Sequence, residues 1–122
     1  MPEAITVLIV DDDRTAVKVL SDILMEKGYK VIKAVSGEEA VETARKERPR
    51  VVVLDTLLPG IDGHETCRRI KAIKGLDAKV VVTTGKIDAV DATKARAAGA
   101  DDYVAKTSSF ELLLSAVQKL AS

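Results

Sequence analysis

Five apolar, largely β-branched runs alternate with five segments of helical periodicity, and this alternation limits what the chain can fold into more than any other feature. Ile5-Thr6-Val7-Leu8-Ile9-Val10 ends abruptly at acid and reads as a buried strand. In the segment after it Ala16, Val17, Leu20, Ile23 and Leu24 share one helical face, and Gly28 stands where a helix stops. Lys30 to Val35 is a second predicted strand. Ser36-Gly37-Glu38-Glu39 is a capping box that opens a helix burying Ala40, Val41 and Ala44 and stopping before Pro49. Val51-Val52-Val53-Leu54 is a third strand, again ending at acid, Asp55, and Pro59-Gly60-Ile61-Asp62-Gly63 is turn chemistry. A third helix is predicted from about His64 to Lys74, with Cys67, Ile70 and Ile73 inward and Gly75 behind it. Lys79 to Thr84 forms the fourth strand, and Asp88 caps an alanine-rich helix that Gly99 ends. Asp102 to Lys106 is a short fifth strand. Ser108-Ser109-Phe110-Glu111 holds a further capping box before a helix with Leu112, Leu113, Ala116, Val117 and Leu120 on one face.

Strand–helix alternation with short connections argues for an α/β fold, a doubly wound parallel sheet with helices on both faces. Strands one, three and four hold near-continuous apolar runs, as central strands should. Strand two carries lysines and strand five is short and polar, as edges should be. The order 2-1-3-4-5 satisfies both, giving a single five-stranded (βα)5 domain of flavodoxin-like topology over residues 1–122, with no linker and no output domain expected. At 47% apolar residues the chain can fill such a core. Lys+Arg and Asp+Glu both total 19, which argues against a generally basic surface for nucleic acid or for anionic membrane. The single cysteine, Cys67, excludes an internal disulfide framework and fits a reducing compartment. No apolar run approaches the ~20 residues of a membrane span, and Met1-Pro2-Glu3-Ala4 lacks a secretory start, so a cytoplasmic protein is expected. Gly-x-x-x-x-Gly-Lys-Ser/Thr, Gly-x-Gly-x-x-Gly and Cys-x-x-Cys are absent. His64 is the only histidine, which removes a His-x-x-x-His zinc pair and any Ser–His or Cys–His catalytic pair.

Parallel strands place all their C-terminal ends on one edge of the sheet. There the order brings together Asp11, Asp12 and Asp13 after strand one, Asp55 after strand three, Thr83 and Thr84 at the end of strand four and Lys106 at the end of strand five. Strands one and three flank the switch point at which open α/β sheets bind ligands. Two carboxylates about 4 Å apart repel by roughly 4 kcal/mol at an effective dielectric near 20, so such a cluster shifts pKa values or binds a cation. Hard oxygen ligands with open positions suit Mg²⁺. Mg²⁺ beside a carboxylate nucleophile, a lysine and a threonine suits phosphoryl chemistry.

Four segments carry a resemblance to a known family: Val7-Leu8-Ile9-Val10-Asp11-Asp12-Asp13; Val53-Leu54-Asp55 with Leu58-Pro59-Gly60-Ile61-Asp62-Gly63; Val82-Thr83-Thr84-Gly85; and Ala97-Ala98-Gly99-Ala100-Asp101-Asp102-Tyr103-Val104-Ala105-Lys106. In order and at strand ends, they resemble the receiver domain of two-component response regulators, including the single-domain chemotaxis and phosphorelay kind. The resemblance implies that Asp55 is the phospho-acceptor, that Asp12 and Asp55 ligate Mg²⁺ with the backbone carbonyl of Leu57, and that Asp11 orients a metal-bound water. It implies that Thr84 moves toward the phosphoryl group, that Lys106 is its cationic partner, that Tyr103 is an aromatic switch turning inward with Thr84, and that Gly85 leaves space beside the site. It further implies a phosphorylation-activated signalling switch rather than an enzyme acting on other molecules. Phosphohistidine on a histidine kinase or histidine phosphotransfer protein would be the donor. The surface of helix four, strand five and helix five would bind a downstream effector protein, without direct nucleic-acid or membrane contact. The protein would be a monomer, with dimerisation on phosphorylation left open. One departure is Thr107, where the family usually has a proline after the lysine, commonly with a cis bond. A cis bond before a non-proline residue costs about 3–4 kcal/mol, so the bond is trans with a shifted loop, or cis and strained. Leu57 and Lys86 sit where the family tunes hydrolysis of the acyl phosphate. Apolar Leu57 is a poor aid to an attacking water, so slow to moderate self-dephosphorylation is expected, and a phosphoryl half-life of only seconds would contradict it.

Plainer roles are expected elsewhere. Asp13 is read as a helix cap, Thr83 as facing away from the site, Cys67 as core, and His64 as an exposed residue of the first helical turn. Arg68, Arg69, Lys71 and Lys74 form a basic stretch read as a solvated face, with partner docking as the sharper alternative, and Tyr103 could be simple edge packing. Other function classes fare worse. An aspartate-nucleophile phosphatase of the haloacid-dehalogenase type usually has an acid two residues after the nucleophile, where Leu57 stands. A flavin module would need a phosphate-cradling loop after strand one, where three aspartates stand instead. The remaining alternative is a degenerate receiver acting as a phosphate-independent protein-interaction module.

Overall fold

The computed structural model describes residues 4–106 and 110–122. Its elements run β1 (Thr6–Val10), α1 (Arg14–Glu26), β2 (Lys30–Ala34), α2 (Gly37–Glu47), β3 (Val51–Asp55), α3 (Gly63–Lys71), β4 (Lys79–Thr84), α4 (Ala89–Ala97), β5 (Asp102–Ala105) and α5 (Glu111–Ala121). The strands form one parallel sheet in the order β2-β1-β3-β4-β5, as the patterning predicts. Alternate residues along each strand serve opposite faces. Leu8, Val10, Val52, Leu54, Val80 and Val82 pack with Ala40, Ala44, Cys67, Ile70 and Ala95 of α2, α3 and α4. Val7, Ile9, Val51, Val53 and Val81 pack with Val17, Leu20 and Leu24 of α1 and with Leu113, Ala116 and Val117 of α5. With both faces covered, β1 and β3 are apolar in nearly every position, and β4 is apolar through its middle, Val80 to Val82.

Local chemistry explains most element ends. Asp13 caps α1 by accepting from the Thr15 and Ala16 amides, and Asp88 caps α4 by accepting from those of Val90 and Asp91. Ser36 accepts from Glu39 N at 3.2 Å, and the Glu39 carboxylate reaches back to Val35 N at 3.5 Å, one residue before the position a strict capping box uses. Several expected boundaries shift, and β1 begins at Thr6 rather than Ile5 while β5 ends at Ala105 rather than Lys106. β2 ends at Ala34, and Val35 is exposed beyond it. α3 begins at Gly63, because Asp62 caps it by accepting from Glu65 N, and it ends at Lys71 rather than near Lys74. Beyond it, Ile73 N donates to Ile70 O and Leu76 N to Ile73 O, tightening the chain into turns before Gly75. The residue preceding α5 is Phe110, in the left-handed region at φ 57° and without a side-chain cap bond. Ser108 and Ser109 of the expected capping box lie outside the described residues, as does the peptide bond between Lys106 and Thr107.

Cys67 is fully buried among core residues of α3, and burial pushes its thiol up to about 11 against a smaller opposing pull from Lys71. The basic stretch of α3 is largely paired: Arg68 and Arg69 both bind Glu65, and Lys71 binds Asp101 at 2.7 Å and the Ala78 carbonyl at 3.0 Å. No helix among the described residues is long and apolar enough to cross a membrane.

Candidate functional site

The sheet register sets the site. Val10 pairs with Leu54, Asp55 with Thr83, and Thr84 with Ala105, so Asp11, Asp55, Thr84 and Lys106 emerge at one level of the C-terminal edge. Asp11 and Asp55 are 6% and 9% exposed, a costly placement for two carboxylates unless they are paired. Lys106 pairs both: its Nζ donates to Asp11 Oδ2 at 2.6 Å and to Asp55 Oδ2 at 3.0 Å. The other oxygen of each carboxylate accepts from the backbone amide two residues on, Asp11 Oδ1 from Asp13 N at 2.9 Å and Asp55 Oδ1 from Leu57 N at 3.2 Å. Each aspartate is thereby fixed by one lysine and one turn amide.

The electrostatics follow from this burial. Burial is the largest influence on Asp55 and raises its carboxyl above the usual range, with Asp11 adding to it and Lys106 and the Leu57 amide opposing. Burial by itself would lower the Lys106 ammonium, but its hydrogen bonds to Asp11 and Asp55 outweigh that and hold it above its ordinary value. The site therefore keeps a charged lysine between two acids, one of which ionises reluctantly.

Asp12 is exposed on the loop beside them. Carboxylate oxygens of Asp11, Asp12 and Asp55 lie within 4.8 Å of one another, the only such grouping that could hold a metal among the described residues. An all-oxygen, all-carboxylate donor set open to solvent on one side fits Mg²⁺ rather than zinc or copper. Leu57 is 81% exposed on the following loop. Thr84 stands at the same edge, but its hydroxyl donates to the Lys86 carbonyl at 2.9 Å and accepts from Lys86 N at 3.3 Å. Thr83 points the other way: its hydroxyl donates to the Leu54 carbonyl inside the sheet. Among the described residues nothing fills the space where a Cβ at Gly85 would stand.

Tyr103 and His64 meet at one aspartate, Asp91. The Tyr103 hydroxyl donates to Asp91 Oδ2 at 2.7 Å. The imidazole of His64, expected on the surface, has a side chain only 12% exposed, and its Nε2 lies 2.6 Å from Asp91 Oδ1. The partner explains the burial. A histidine opening α3 meets an aspartate in the first turn of α4, 27 residues on, and neither helical periodicity nor a short motif links positions so far apart. Burial raises the Tyr103 phenol, and Asp91 adds to that. Burial raises Asp91, but bonds from Tyr103 and His64 outweigh it and hold its carboxyl below the usual range.

The chain matches the family described as Response regulator receiver domain over residues 7–118. It is 39% identical over 101 residues to the transcriptional regulatory protein AfsQ1 of Streptomyces coelicolor, covering 83% of this chain and 44% of that protein. It is 36% identical over 116 residues to the response regulator MprA of Mycolicibacterium vanbaalenii, covering 95% of this chain and 50% of that protein. It thus spans about half the length of these curated relatives. The solved structure of the response regulator protein TrrA from Thermotoga maritima in complex with Mg²⁺-BeF is similar at TM-score 0.85 and 34% identity, over 95% of this chain and 98% of that one.

Proposed function

The chain belongs to the response regulator receiver domain family, and from that membership we propose that it is a phosphorylation switch in which Asp55 accepts a phosphoryl group from phosphohistidine. The observation that carries this reading is Lys106 held between Asp11 and Asp55 at 2.6 and 3.0 Å, beside Asp12, at the C-terminal edge of the sheet.

An oxygen of the Asp55 carboxylate attacks phosphorus in line. The O–P bond forms, the donor's P–N bond breaks, and the electron pair leaves on the imidazole nitrogen of a histidine kinase or histidine phosphotransfer protein. Asp12, Asp55 and the Leu57 carbonyl would hold Mg²⁺, with Asp11 reaching it through water. When bound, the ion would neutralise charge on the phosphoryl oxygens. Support for that ion comes from the Mg²⁺-BeF complex of the similar Thermotoga protein. Lys106, already a partner of Asp55, turns its ammonium to the incoming oxygens. Thr84 must release the Lys86 carbonyl to donate to the same oxygens, and that drags the loop leading into α4. Tyr103 turns inward as Thr84 moves, and the surface of α4, β5 and α5 changes its affinity for a downstream effector protein. The output is binding, and the chain's own phosphorylation and dephosphorylation are the only chemistry it performs. A cytoplasmic setting accords with a kinase donor. Among the described residues of the site none favours the phosphate-independent alternative, for which Thr107, outside them, is the one departure that leaves room.

Intact mass after incubation with acetyl phosphate tests this. The chain is expected to gain one phosphoryl group with Mg²⁺ and none with excess EDTA, and the adduct should map to the peptide containing Asp55. A chain that binds Mg²⁺ yet takes up no phosphoryl group, from acetyl phosphate or from a phosphorylated kinase, would overturn it, as would an adduct on a peptide lacking Asp55.

A further inference from the structure

α4 is thinly attached by apolar contact. Of its residues only Ala95 is buried, while Val90 is 65% exposed and Ile87, just before the helix, 56%. Polar contacts must therefore carry much of its placement, and the strongest meet at Asp91. Both carboxylate oxygens are used, Oδ1 by His64 from α3 and Oδ2 by the Tyr103 hydroxyl from β5. The two sides differ in stiffness. α3 is anchored by Cys67 and Ile70, both fully buried, whereas Tyr103 lies on an edge strand.

We propose that His64 is a positioning residue: by gripping Asp91 from the rigid α3 it pins the Tyr103 hydroxyl and holds the chain in its unphosphorylated arrangement. This rests on the phosphorylation-switch reading above. The segment from Thr84 to Asp88 leads directly into α4, and Asp91 sits in that helix's first turn. Any movement of Thr84 away from the Lys86 carbonyl pulls on this segment, and the His64–Asp91–Tyr103 chain of bonds resists it. His64 has no second anchor among the described residues, where its buried Nδ1 finds no hydrogen-bond partner. With the ring proton on Nε2 the imidazole donates to Asp91, and its hold on α4 is that one bond. Lys94, which faces Asp91 from the same helix, adds charge but no hydrogen bond.

The initial rate of phosphorylation by acetyl phosphate with Mg²⁺, followed by intact mass, reads the latch. A ligand or modification can shift an equilibrium only by what it gains between two states, so weakening the resting state is expected to raise the rate about fivefold in His64→Ala and in Tyr103→Phe alike. The double variant should be no faster than either single one, because both cut the same chain of bonds. His64→Gln, which can place an amide N–H near the Nε2 position, should return toward the parent rate. A role in stability alone would lower the melting temperature without this non-additivity in rate. A phosphorylated parent with His64→Ala at the parent rate overturns the latch and leaves the switch standing, as do single effects that multiply in the double variant. A parent that takes up no phosphoryl group overturns the switch itself. Should His64→Ala fail to fold by its thermal melt, Tyr103→Phe at the parent rate overturns the latch, and a faster Tyr103→Phe with His64→Gln near the parent rate upholds it.

Discussion

Asp55→Asn is expected to take up no phosphoryl group and, in metal-free buffer at pH 7, to unfold at a higher temperature than the parent. The first effect follows from the loss of the carboxylate nucleophile, since a carboxamide has no anionic oxygen to attack phosphorus. The second follows from the direction of the Asp55 shift. Burial raises this carboxyl above its ordinary 3.8 despite Lys106, so the folded chain holds the Asp55 proton more tightly than the unfolded chain does. That contribution favours folding fully below the unfolded value and is lost as pH rises through the higher, folded one. At neutral pH the ionised carboxylate is therefore a cost that a neutral amide of nearly equal size avoids. The Lys106 bond to Asp11, 2.6 Å in the parent, does not involve Asp55, and in the variant Lys106 can still donate to the amide oxygen. Melts taken from pH 3 to pH 7 in EDTA should show the gap between variant and parent opening as pH rises above 3.8. Mg²⁺ should raise the melting temperature of the parent more than that of the variant, because a ligand stabilises only the state that binds it. A variant that melts below the parent at pH 7 in EDTA would show that the pairing with Lys106 outweighs burial at this position. Sites selected for chemistry commonly carry such a cost.

The sheet and the carboxylate cluster were legible in the sequence because both depend on short-range signals. Val51 to Leu54 must be buried on both faces to read as it does, and a parallel strand that stops at Asp55 delivers that acid to the same edge as Asp11. Once the strand order is given, Lys106 has only that edge to occupy. What was not legible depends on rotamers and on pairs distant in sequence. Nothing local to Thr84 says that its hydroxyl turns to the Lys86 carbonyl rather than to the acids. Nothing local to His64 announces Asp91, and a residue beside Gly63 at a helix start is ordinarily solvated. The early end of α3 is of the same kind. The residues up to Lys74 have acceptable helix propensity, but the chain turns at Ala72 to bring Leu76 back against the core.

The largest structural effect is expected from Gly63→Ala, although alanine is ordinarily the better helix residue by about 1 kcal/mol. Gly63 opens α3 directly beneath the end of β3, and its amide donates to the Thr56 carbonyl at 3.1 Å. A Cβ there would lie 2.3 Å from the Asp55 carbonyl oxygen, 2.8 Å from Thr56 Cα and 3.0 Å from the Asp55 carbonyl carbon. All three are backbone atoms, so no flexible side chain can yield. Either α3 backs away, opening the layer where Cys67 and Ile70 pack, or the end of β3 moves and carries Asp55 with it. Overpacking of this kind costs typically 1–3 kcal/mol, and with only backbone atoms to yield the cost lies near the top of that range, so a net loss of about 2 kcal/mol is expected after the gain in helix propensity is subtracted. Chemistry suffers separately, because a displacement of about 1 Å at a reacting group can cost a hundredfold in rate. Denaturant unfolding should show a lower midpoint at unchanged slope. Phosphorylation by acetyl phosphate should slow at least tenfold at temperatures where the variant is still folded. Gly85→Ala is the control, since a Cβ at Gly85 meets none of the described residues within 4 Å and its backbone is not in the left-handed region. That substitution should leave stability within about 1 kcal/mol of the parent. Equal midpoints for the two variants would mean that α3 can retreat from β3 at little cost, and that the close approach at Gly63 does not hold Asp55 in place.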